Sequence, residues 1–241
     1  MEKVFGRMPV IEALKKGSAL ERVYIQDSVS GAFEVEVRTL CQQNEVPLSR
    51  IPKSKLDRDI HGNHQGIYAI GALVSYRDLE TLIKVTLMKG ESPLLLLLDG
   101  IKDVRNLGAI ARSAEIFGAH GIVIPSKGSA PINDIAIKTS AGALLHLPVC
   151  RVKSMQSALD LLCRNEVEIC GADQTGDKEL SGVNFKGPCA IVFGEEGKGI
   201  NNILKVYFDH HFHIPQIGKT ESLNVSVAAG IVMYEVFRQR S

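Results

Sequence analysis

Three polar segments in the second half of the chain carry side chains that could bind a ligand and assist a reaction. They lie at 99–119, 193–199 and 214–230, and each begins where a short apolar run breaks at Gly, Asp or Pro. Apolar runs of this length predict buried strands that end in loops. In open α/β sheets, ligands bind beyond the carboxyl ends of the strands. The three segments are therefore expected to bring glycine, amide, carboxylate and hydroxyl groups to one site.

The side chains in these segments suit a ligand oxygen that gains negative charge during a reaction. Arg112 offers a permanent charge and five N–H donors. Glu196 lies in a glycine-rich loop that a ligand can approach closely, and its carboxylate could hold Arg112 or Asn106 in place. Structural interpretations remain open, since Arg112 could pair with Glu115 or Glu195 and Asn106 could cap a helix. Six helical residues turn about 240°, so Asn106 and Arg112 converge only if Asn106 precedes the helix.

The spacing of these residues argues against nucleotide-binding loops and metal centres. The pattern G-x-x-G-x-G at 194–199 differs from the dinucleotide pattern G-x-G-x-x-G. A phosphate-binding loop ending at 218–220 would need glycine where His213 stands. His211 and His213 share one face of a predicted strand, but no cysteine lies near them. We expect ordinary strand histidines and no metal.

Composition restricts the classes of protein to which the chain can belong. It has 241 residues, of which 45% are hydrophobic, and a net charge of +1, so any surface that binds nucleic acid must be a local patch. The five cysteines form no CxxC pair, which favours a reduced, cytoplasmic setting. The first residues lack the apolar core of a signal peptide, and the aliphatic run 94–98 is far shorter than the roughly 20 residues that span a membrane. We expect a soluble cytoplasmic protein with no membrane contact.

Hydrophobic patterning predicts two α/β domains. Residues 1–73 form the first, 74–90 a partly helical linker, and 91–241 a series of alternating strands and helices that predicts a mostly parallel sheet. A final helix is predicted over 222–238, where Ser222 and Asn224 are capping residues by default. In the first domain, a polar loop between predicted strands holds basic residues that suit phosphate contacts, although a merely solvated loop is the alternative.

Together the three segments resemble the three motifs of the knotted SpoU/TrmH class of RNA 2′-O-ribose methyltransferases. Their order and spacing match over about half the chain. The matching residues are Asn106, Gly108 and Arg112, then Gly194, Glu196, Gly197 and Gly199, then Ile214, Pro215 and 222–226.

Two shorter stretches extend the resemblance to the first domain. Residues 4–14 and the sequence NHQG at 63–66 are similar to the L30e-like domain that precedes the knot in the branch methylating a guanosine of large-subunit ribosomal RNA. This resemblance implies that the basic polar loop binds RNA. The candidate RNA-binding residues are Arg50, Lys53, Lys55, Arg58, His64 and Gln65.

The resemblance implies a fold, a cofactor and a set of site residues. The expected fold is a C-terminal α/β domain with a trefoil knot after a smaller L30e-like domain, in a homodimer. The expected methyl donor is S-adenosylmethionine, and the substrate is structured RNA, namely large-subunit ribosomal RNA or its assembly intermediate. The implied catalytic residues are Asn106, Arg112, Glu196, Ser222 and Asn224, and the implied cofactor-binding residues are Gly194, Gly199, Ile214 and Leu223.

Within this family, we expect Arg112 to act as an electrostatic clamp on the hydroxyl and its phosphate. A guanidinium with a pKa above about 12 rarely gives up its proton, so it is a poor general base. The alternatives are a transfer RNA 2′-O-methyltransferase and a non-catalytic RNA-binding protein built on the L30e-like domain. A small-molecule methyltransferase is disfavoured by the separate first domain.

Overall fold

The computed structural model describes residues 2–241 and divides the chain into two compact units. The first unit runs up to Ser75 and includes Ile132–Asp134. The second comprises Tyr76–Pro131 and Ile135–Ser241. No helix in the described part of the chain is long and apolar enough to cross a membrane.

A mixed four-stranded sheet forms the centre of the first unit. Its strands lie in the order β1-β4-β2-β3, in which only β2 and β3 run parallel. The strands are β1 (Lys3–Phe5), β2 (Leu20–Gln26), β3 (Leu48–Ile51) and β4 (Ile67–Gly71). Alternation along β4 sends Ile67 and Ala69 to one face and Tyr68 to the other. Each face therefore needs its own helical cover.

Three helices supply this cover: α1 (Arg7–Lys15), α2 (Ala32–Gln43) and α3 (Lys53–Asp59). Helices α1 and α2 pack an apolar stripe against the face that carries Ile67. Helix α3 places Leu56 on the Tyr68 face. The prediction of a loop over the basic stretch is therefore wrong. Pro52 stands just before the helix, where a missing N–H costs nothing, and Leu56 provides the apolar anchor.

An eight-stranded sheet, parallel at every pairing, forms the centre of the second unit. The strand order is β10-β12-β9-β11-β6-β7-β8-β5. The strands are β5 (Tyr76–Arg77), β6 (Leu94–Leu98), β7 (Gly121–Pro125), β8 (Val149–Val152), β9 (Glu168–Ala172), β10 (Lys178–Glu179), β11 (Cys189–Phe193) and β12 (His210–His213). The continuous apolar runs of β6 and β11 are fully buried, as expected for parallel strands covered on both faces. The predicted mostly parallel α/β architecture is confirmed.

Five helices belong to the second unit, apart from the first residue of α6: α4 (Leu79–Met88), α5 (Val104–Ile116), α6 (Asp134–Thr139), α7 (Met155–Arg164) and α8 (Val225–Arg240). Helices α4 and α7 cover one face of the sheet, with Ile83 and Leu159 in a core that includes Leu95, Leu97 and Val192. Helices α5 and α8 pack against each other. Strand and helix thus alternate from β6 to β9, as the sequence pattern predicts, whereas no α-helix separates β9, β10, β11 and β12.

The segment predicted as a linker, 74–90, lies largely within the second unit. Strand β5 pairs with β8 through Tyr76 and Arg77. Asp78 caps α4 by accepting a hydrogen bond from the Thr81 backbone N–H at 2.8 Å, and Leu79 is buried in the core. The segment is short and mixed in polarity. Its hydrophobic periodicity therefore did not predict that α4 buries an apolar stripe in the core of the second unit.

Candidate functional site

A cavity of about 420 Å³ opens at the carboxyl edge of the parallel sheet, and we call it the edge cavity. Its walls include residues at the carboxyl ends of three neighbouring strands: Ala172 is the last residue of β9, Gly194 follows β11 and Ile214 follows β12. Small-molecule sites in proteins usually have volumes of roughly 300–1,000 Å³ and lie at this edge of such sheets. The edge cavity therefore has the size and the place of a ligand site.

All four residues predicted to bind a cofactor line the edge cavity. Two loops supply them: Gly194 and Gly199 come from one, and Ile214 and Leu223 stand at the two ends of the other. Ser222, predicted as catalytic, also lines the cavity. Their role in binding stays a prediction, but the structure brings them to a single surface.

The loop after β11 is a tight turn that depends on glycine. The Gly199 N–H donates to the Glu195 carbonyl at 2.8 Å, which closes the turn over 195–199. Gly194 lies so close to the end of the turn that a Cβ there would stand 2.1 Å from the Gly199 carbonyl carbon. Gly199 itself has φ of +69°, a conformation that L side chains rarely adopt. The end of the turn at Gly199 therefore packs against its beginning at Gly194, and Glu196 lies within the turn.

Three predicted catalytic residues form a closed set of hydrogen bonds, the amide–carboxylate triangle of Asn106, Glu196 and Asn224. Asn106 Nδ2 donates to Glu196 Oε2 at 3.2 Å. Asn224 Nδ2 donates to Glu196 Oε1 at 3.3 Å and to Asn106 Oδ1 at 3.1 Å. The triangle joins the start of α5, the turn after β11 and the start of α8, which lie far apart in the chain.

A helix cap determines which way the amides of the triangle face. Asn224 caps α8, and its Oδ1 accepts the Ser226 backbone N–H at 2.9 Å. Its Nδ2 therefore points at Asn106 Oδ1, which in turn directs Asn106 Nδ2 toward Glu196. Each amide nitrogen carries two N–H donors, so Asn106 keeps one for a ligand, and the Glu196 oxygens keep lone pairs. The triangle can donate to one ligand oxygen and accept from a ligand hydroxyl.

Asn106 is not the cap of α5. Asp103 caps this helix by accepting backbone N–H groups of Arg105 and Asn106 at 2.6 and 3.3 Å, and Asn106 lies within the first turn. Arg112 is six residues further along the helix and consequently points away from Asn106. Of the two partners predicted for Glu196, the structure shows Asn106 and not Arg112, and it adds Asn224 as a second amide partner.

Arg112 is exposed and makes no hydrogen bond or ion pair among residues 2–241. The structural interpretation of this arginine required a bond to Glu115 or Glu195, and neither is formed. Glu195 instead bonds Lys102 at 2.8 Å, and that hydrogen bond holds the pKa of its carboxyl below the usual value. The Arg112 guanidinium is therefore free to meet a ligand or another chain.

A polar group on the wall of the edge cavity was not predicted. Asp173 accepts hydrogen bonds from the Thr175 hydroxyl at 2.6 Å and from His211 Nε2 at 2.9 Å, and it pairs with Lys205 at 3.1 Å. Burial raises the pKa of Asp173, but the bonds from Thr175 and Lys205 outweigh this effect and lower it. Asp173 directly follows the end of β9, so its place at a strand terminus was the signal that could have identified it.

In the first unit, half of the predicted RNA-binding residues are engaged in internal contacts. Arg50 donates to the Asp27 carbonyl at 2.8 Å and pairs with Glu34 at 3.0 Å. His64 is buried against Asp57 at 2.8 Å, and Gln65 Oε1 accepts the Arg7 backbone N–H at 2.9 Å. The other three stand exposed on α3: Lys53, Lys55 and Arg58. Arg58 pairs with the adjacent Asp59 at 3.6 Å, and Lys55 Nζ lies 6.0 Å from the centre of the Tyr24 ring.

The histidines near β12 are held by protein groups. His211 bonds Asp173, and His213 Nδ1 lies 3.0 Å from the Gly176 carbonyl. The part of the chain that the structure describes contains no group of three or more His, Cys, Asp or Glu side chains that could hold a metal ion.

Family models match both parts of the chain. Residues 93–234 match the SpoU rRNA methylase family, and residues 3–77 match the substrate-binding domain of RNA 2′-O-ribose methyltransferases. A TrmH family tRNA/rRNA methyltransferase, YacO, of Bacillus subtilis (strain 168) is 35% identical over 238 residues, which is 99% of this chain and 96% of the relative.

Solved structures share the fold. The SpoU methyltransferase AviRb from Streptomyces viridochromogenes, in complex with the cofactor AdoMet, superposes with a TM-score of 0.62 at 24% identity, over 99% of this chain and 90% of that one. An AdoMet-bound rRNA methyltransferase from Sinorhizobium meliloti gives 0.63 at 19% identity, over 98% and 86%. Their fold is the trefoil knot, as the motifs implied. The family matches and the relative confirm the same resemblance, and the chain belongs to the SpoU/TrmH family of RNA 2′-O-ribose methyltransferases.

Proposed function

We propose that this enzyme binds S-adenosylmethionine in the edge cavity and methylates the ribose 2′-hydroxyl of a guanosine in large-subunit ribosomal RNA. The observation that carries the proposal is the amide–carboxylate triangle, because Glu196 belongs both to it and to the cavity wall. A methyl donor in the cavity and a ribose at the triangle would then be neighbours. The description of the matched family as rRNA methylases supports the ribosomal substrate.

The residues of the edge cavity suit S-adenosylmethionine. Its sulfonium and ammonium groups are cationic, and the cavity is lined by more carboxylates than lysines. The carboxylates are Asp173, Glu195, Glu196 and Glu221, and the lysines are Lys198 and Lys205. Apolar walls from Phe193, Ile214 and Leu223 suit an adenine ring. The two AdoMet-bound neighbours of the same fold support this assignment.

The protein groups orient the reacting hydroxyl and stabilise charge on it. When bound, the donor would supply an electrophilic methyl group to the hydroxyl oxygen and leave as S-adenosylhomocysteine, and the hydroxyl proton would pass to the Glu196 carboxylate. Glu196 can accept a hydrogen bond from the hydroxyl and Asn106 can donate one to the ribose, which fixes the approach of the oxygen. Arg112 would stabilise the negative charge that develops on that oxygen and on its phosphate.

The function is tested by methyl transfer from labelled S-adenosylmethionine to RNA transcribed in vitro. We expect label in large-subunit ribosomal RNA at a single ribose 2′-oxygen, where methylation protects the adjacent phosphodiester bond from alkaline cleavage. The rate of methyl transfer should be the same with a chelator present. Transfer RNA in a parallel reaction should gain little label.

The arms of this assay separate the alternatives. Label in transfer RNA alone would show that the substrate is a transfer RNA and not ribosomal RNA. Loss of activity in the chelator would contradict a metal-free site. No label in any RNA, despite measurable binding of S-adenosylmethionine, would contradict RNA methylation.

We further propose that the first unit binds RNA through the exposed face of α3. Changing Lys53, Lys55 and Arg58 together to Gln should weaken RNA binding and reduce the slope of log affinity against log salt. The slope is negative, and each lost phosphate contact reduces its magnitude by about 0.7–0.9. Fluorescence anisotropy with labelled RNA over a salt series measures both effects.

Arg50→Gln is the matched control for this triple variant. Arg50 lies close by in sequence but is bonded to Asp27 and Glu34, so its loss should lower the melting temperature and leave the salt slope unchanged. Parallel salt lines for the triple variant and the parent would show that the α3 face is only solvated.

A homodimer built on helices α5 and α8 completes the proposal. The ring of Phe117, directly after α5, lies 6.0 Å from the rings of both Tyr234 and Phe237 on α8, and these two side chains are about half exposed. Ile116, four residues after Arg112, is 61% exposed beside them. An apolar face of this kind marks an interface, and Arg112 would lie at its border. Light scattering tests this, and the mass of a single chain would contradict it.

A cytoplasmic location is part of the same proposal. All five cysteines are free thiols, as in a reducing compartment. Cell fractionation with an antibody against the protein tests the location, and recovery outside the cytoplasmic fraction would contradict it.

A further inference from the structure

A second concavity lies beside the first on the carboxyl edge of the parallel sheet. It has a volume of about 400 Å³ and lies beyond the ends of β6, β7 and β8, whereas the edge cavity lies beyond β12, β9 and β11. Lysines from three successive strand ends line it: Lys102, Lys127 and Lys153. We call it the lysine cleft.

The sheet itself places two of these lysines side by side. Pairing of β7 with β8 continues to Pro125 and Val152, and the Ser126 N–H donates to the Val152 carbonyl at 2.8 Å. Lys153 directly follows Val152, and Lys127 directly follows Ser126. Both side chains are exposed, so two like charges are held near each other by the backbone.

The positive charge of the lysine cleft is largely uncompensated. Neither ammonium group of Lys127 and Lys153 has an ion pair or hydrogen bond within residues 2–241. Lys102 is paired with Glu195 at 2.8 Å. Asp99 is the acidic residue lining the cleft, and its carboxylate already accepts a backbone N–H at 3.2 Å. Two neighbouring cations without a carboxylate partner suit an anionic ligand.

The two concavities differ in the sign of their lining charge, and the Lys102–Glu195 ion pair joins their walls next to the amide–carboxylate triangle. Carboxylates outnumber lysines in the edge cavity, and the reverse holds in the lysine cleft. Lys102 on the cleft wall bonds Glu195 on the cavity wall, and the adjacent Glu196 belongs to the triangle. An RNA ribose carries a phosphodiester on each side. With the ribose at the triangle, the carboxylates of the edge cavity would repel the neighbouring phosphates, and the lysine cleft is the adjacent surface that would attract them.

We propose that the lysine cleft binds the phosphodiester backbone next to the target nucleotide, with Lys127 and Lys153 as the phosphate contacts. This inference rests on the proposed function for the position of the ribose. The contacts are electrostatic and do not depend on the base. They would hold the RNA strand in position for methyl transfer and supply part of its affinity.

The test uses the full-length protein and the double variant Lys127→Gln/Lys153→Gln. The matched control is Lys89→Gln/Lys186→Gln, which removes two exposed lysines of the same unit that line neither concavity. The probes are unmethylated transcripts of large-subunit ribosomal RNA and of transfer RNA, in separate reactions. We measure RNA affinity over a salt series, KM for RNA, kcat, and affinity for S-adenosylmethionine by calorimetry.

The double variant should raise KM for RNA roughly tenfold. It should also make the slope of log RNA affinity against log salt shallower by about 0.7–0.9 for each lysine. Its kcat and its affinity for S-adenosylmethionine should stay within twofold of the parent, and the control should match the parent throughout. Equal salt slopes for the double variant and the parent would overturn the inference, and so would an equal loss in the control. If the parent methylates no RNA, the proposed function fails, while the salt slopes still decide whether the cleft binds RNA.

Discussion

Replacing Arg112 with alanine is expected to lower methyl transfer to RNA about 100- to 1000-fold while leaving the affinity for S-adenosylmethionine within severalfold. Removal of a single group that stabilises charge in a transition state typically has an effect of this size. Arg112 is exposed, has no bond within residues 2–241 and does not line the edge cavity, so its loss should affect neither folding nor cofactor binding. Single-turnover rates and calorimetry measure the two quantities separately.

Lysine at position 112 distinguishes charge from geometry. One ammonium group cannot reproduce the planar fork of five donors, so Arg112→Lys should also fail. Arg164→Ala, at the exposed end of α7, is the control and should retain full activity. Near-normal turnover in the lysine variant would show that charge alone suffices, and near-normal turnover in the alanine variant would remove Arg112 from the mechanism.

The sequence predicts the parallel sheet and the members of the site more reliably than their mutual contacts. The buried runs that form β6 and β11 are continuous and break at Asp99 and Gly194, so both the strands and the loops that follow them are visible in the pattern. Asn106, Glu196 and Asn224 were all among the five predicted catalytic residues, and a bond from Glu196 to Asn106 was one of two alternatives. The second amide partner, Asn224, was not predicted, because no local rule states that Glu196 faces two amides rather than Arg112.

Residues that look alike in sequence separate once the chain folds. Arg50 and Lys53 both belong to one basic stretch, yet Arg50 is bonded to the Asp27 carbonyl and Lys53 is exposed on α3. The partner of Arg50 is 23 residues away, a distance at which periodicity carries no information. Lys127 and Lys153 went unnoticed for the same reason, since only the pairing of β7 with β8 makes them neighbours.

Gly194→Ala is expected to weaken binding of S-adenosylmethionine about 10- to 100-fold. A Cβ at this position would stand 2.1 Å from the Gly199 carbonyl carbon, 2.2 Å from its oxygen and 2.3 Å from the Ile200 nitrogen. All three atoms belong to the backbone, so no side chain can rotate away and the turn over 195–199 must move. Overpacking of this kind costs about 1–3 kcal/mol, and about 1.4 kcal/mol is a tenfold change in affinity.

The same displacement should reduce methyl transfer further, because the turn carries Glu196 and hence the amide–carboxylate triangle. Gly182→Ala is the matched control: nothing lies within 4 Å of a Cβ there, and its φ is not positive, so affinity and melting temperature should be those of the parent. Calorimetry with S-adenosylhomocysteine and thermal unfolding of the three proteins make the comparison. Equal affinity for the ligand in Gly194→Ala and the parent would contradict the prediction. It would show that the close contact between Gly194 and the Gly199 backbone does not determine the shape of the edge cavity.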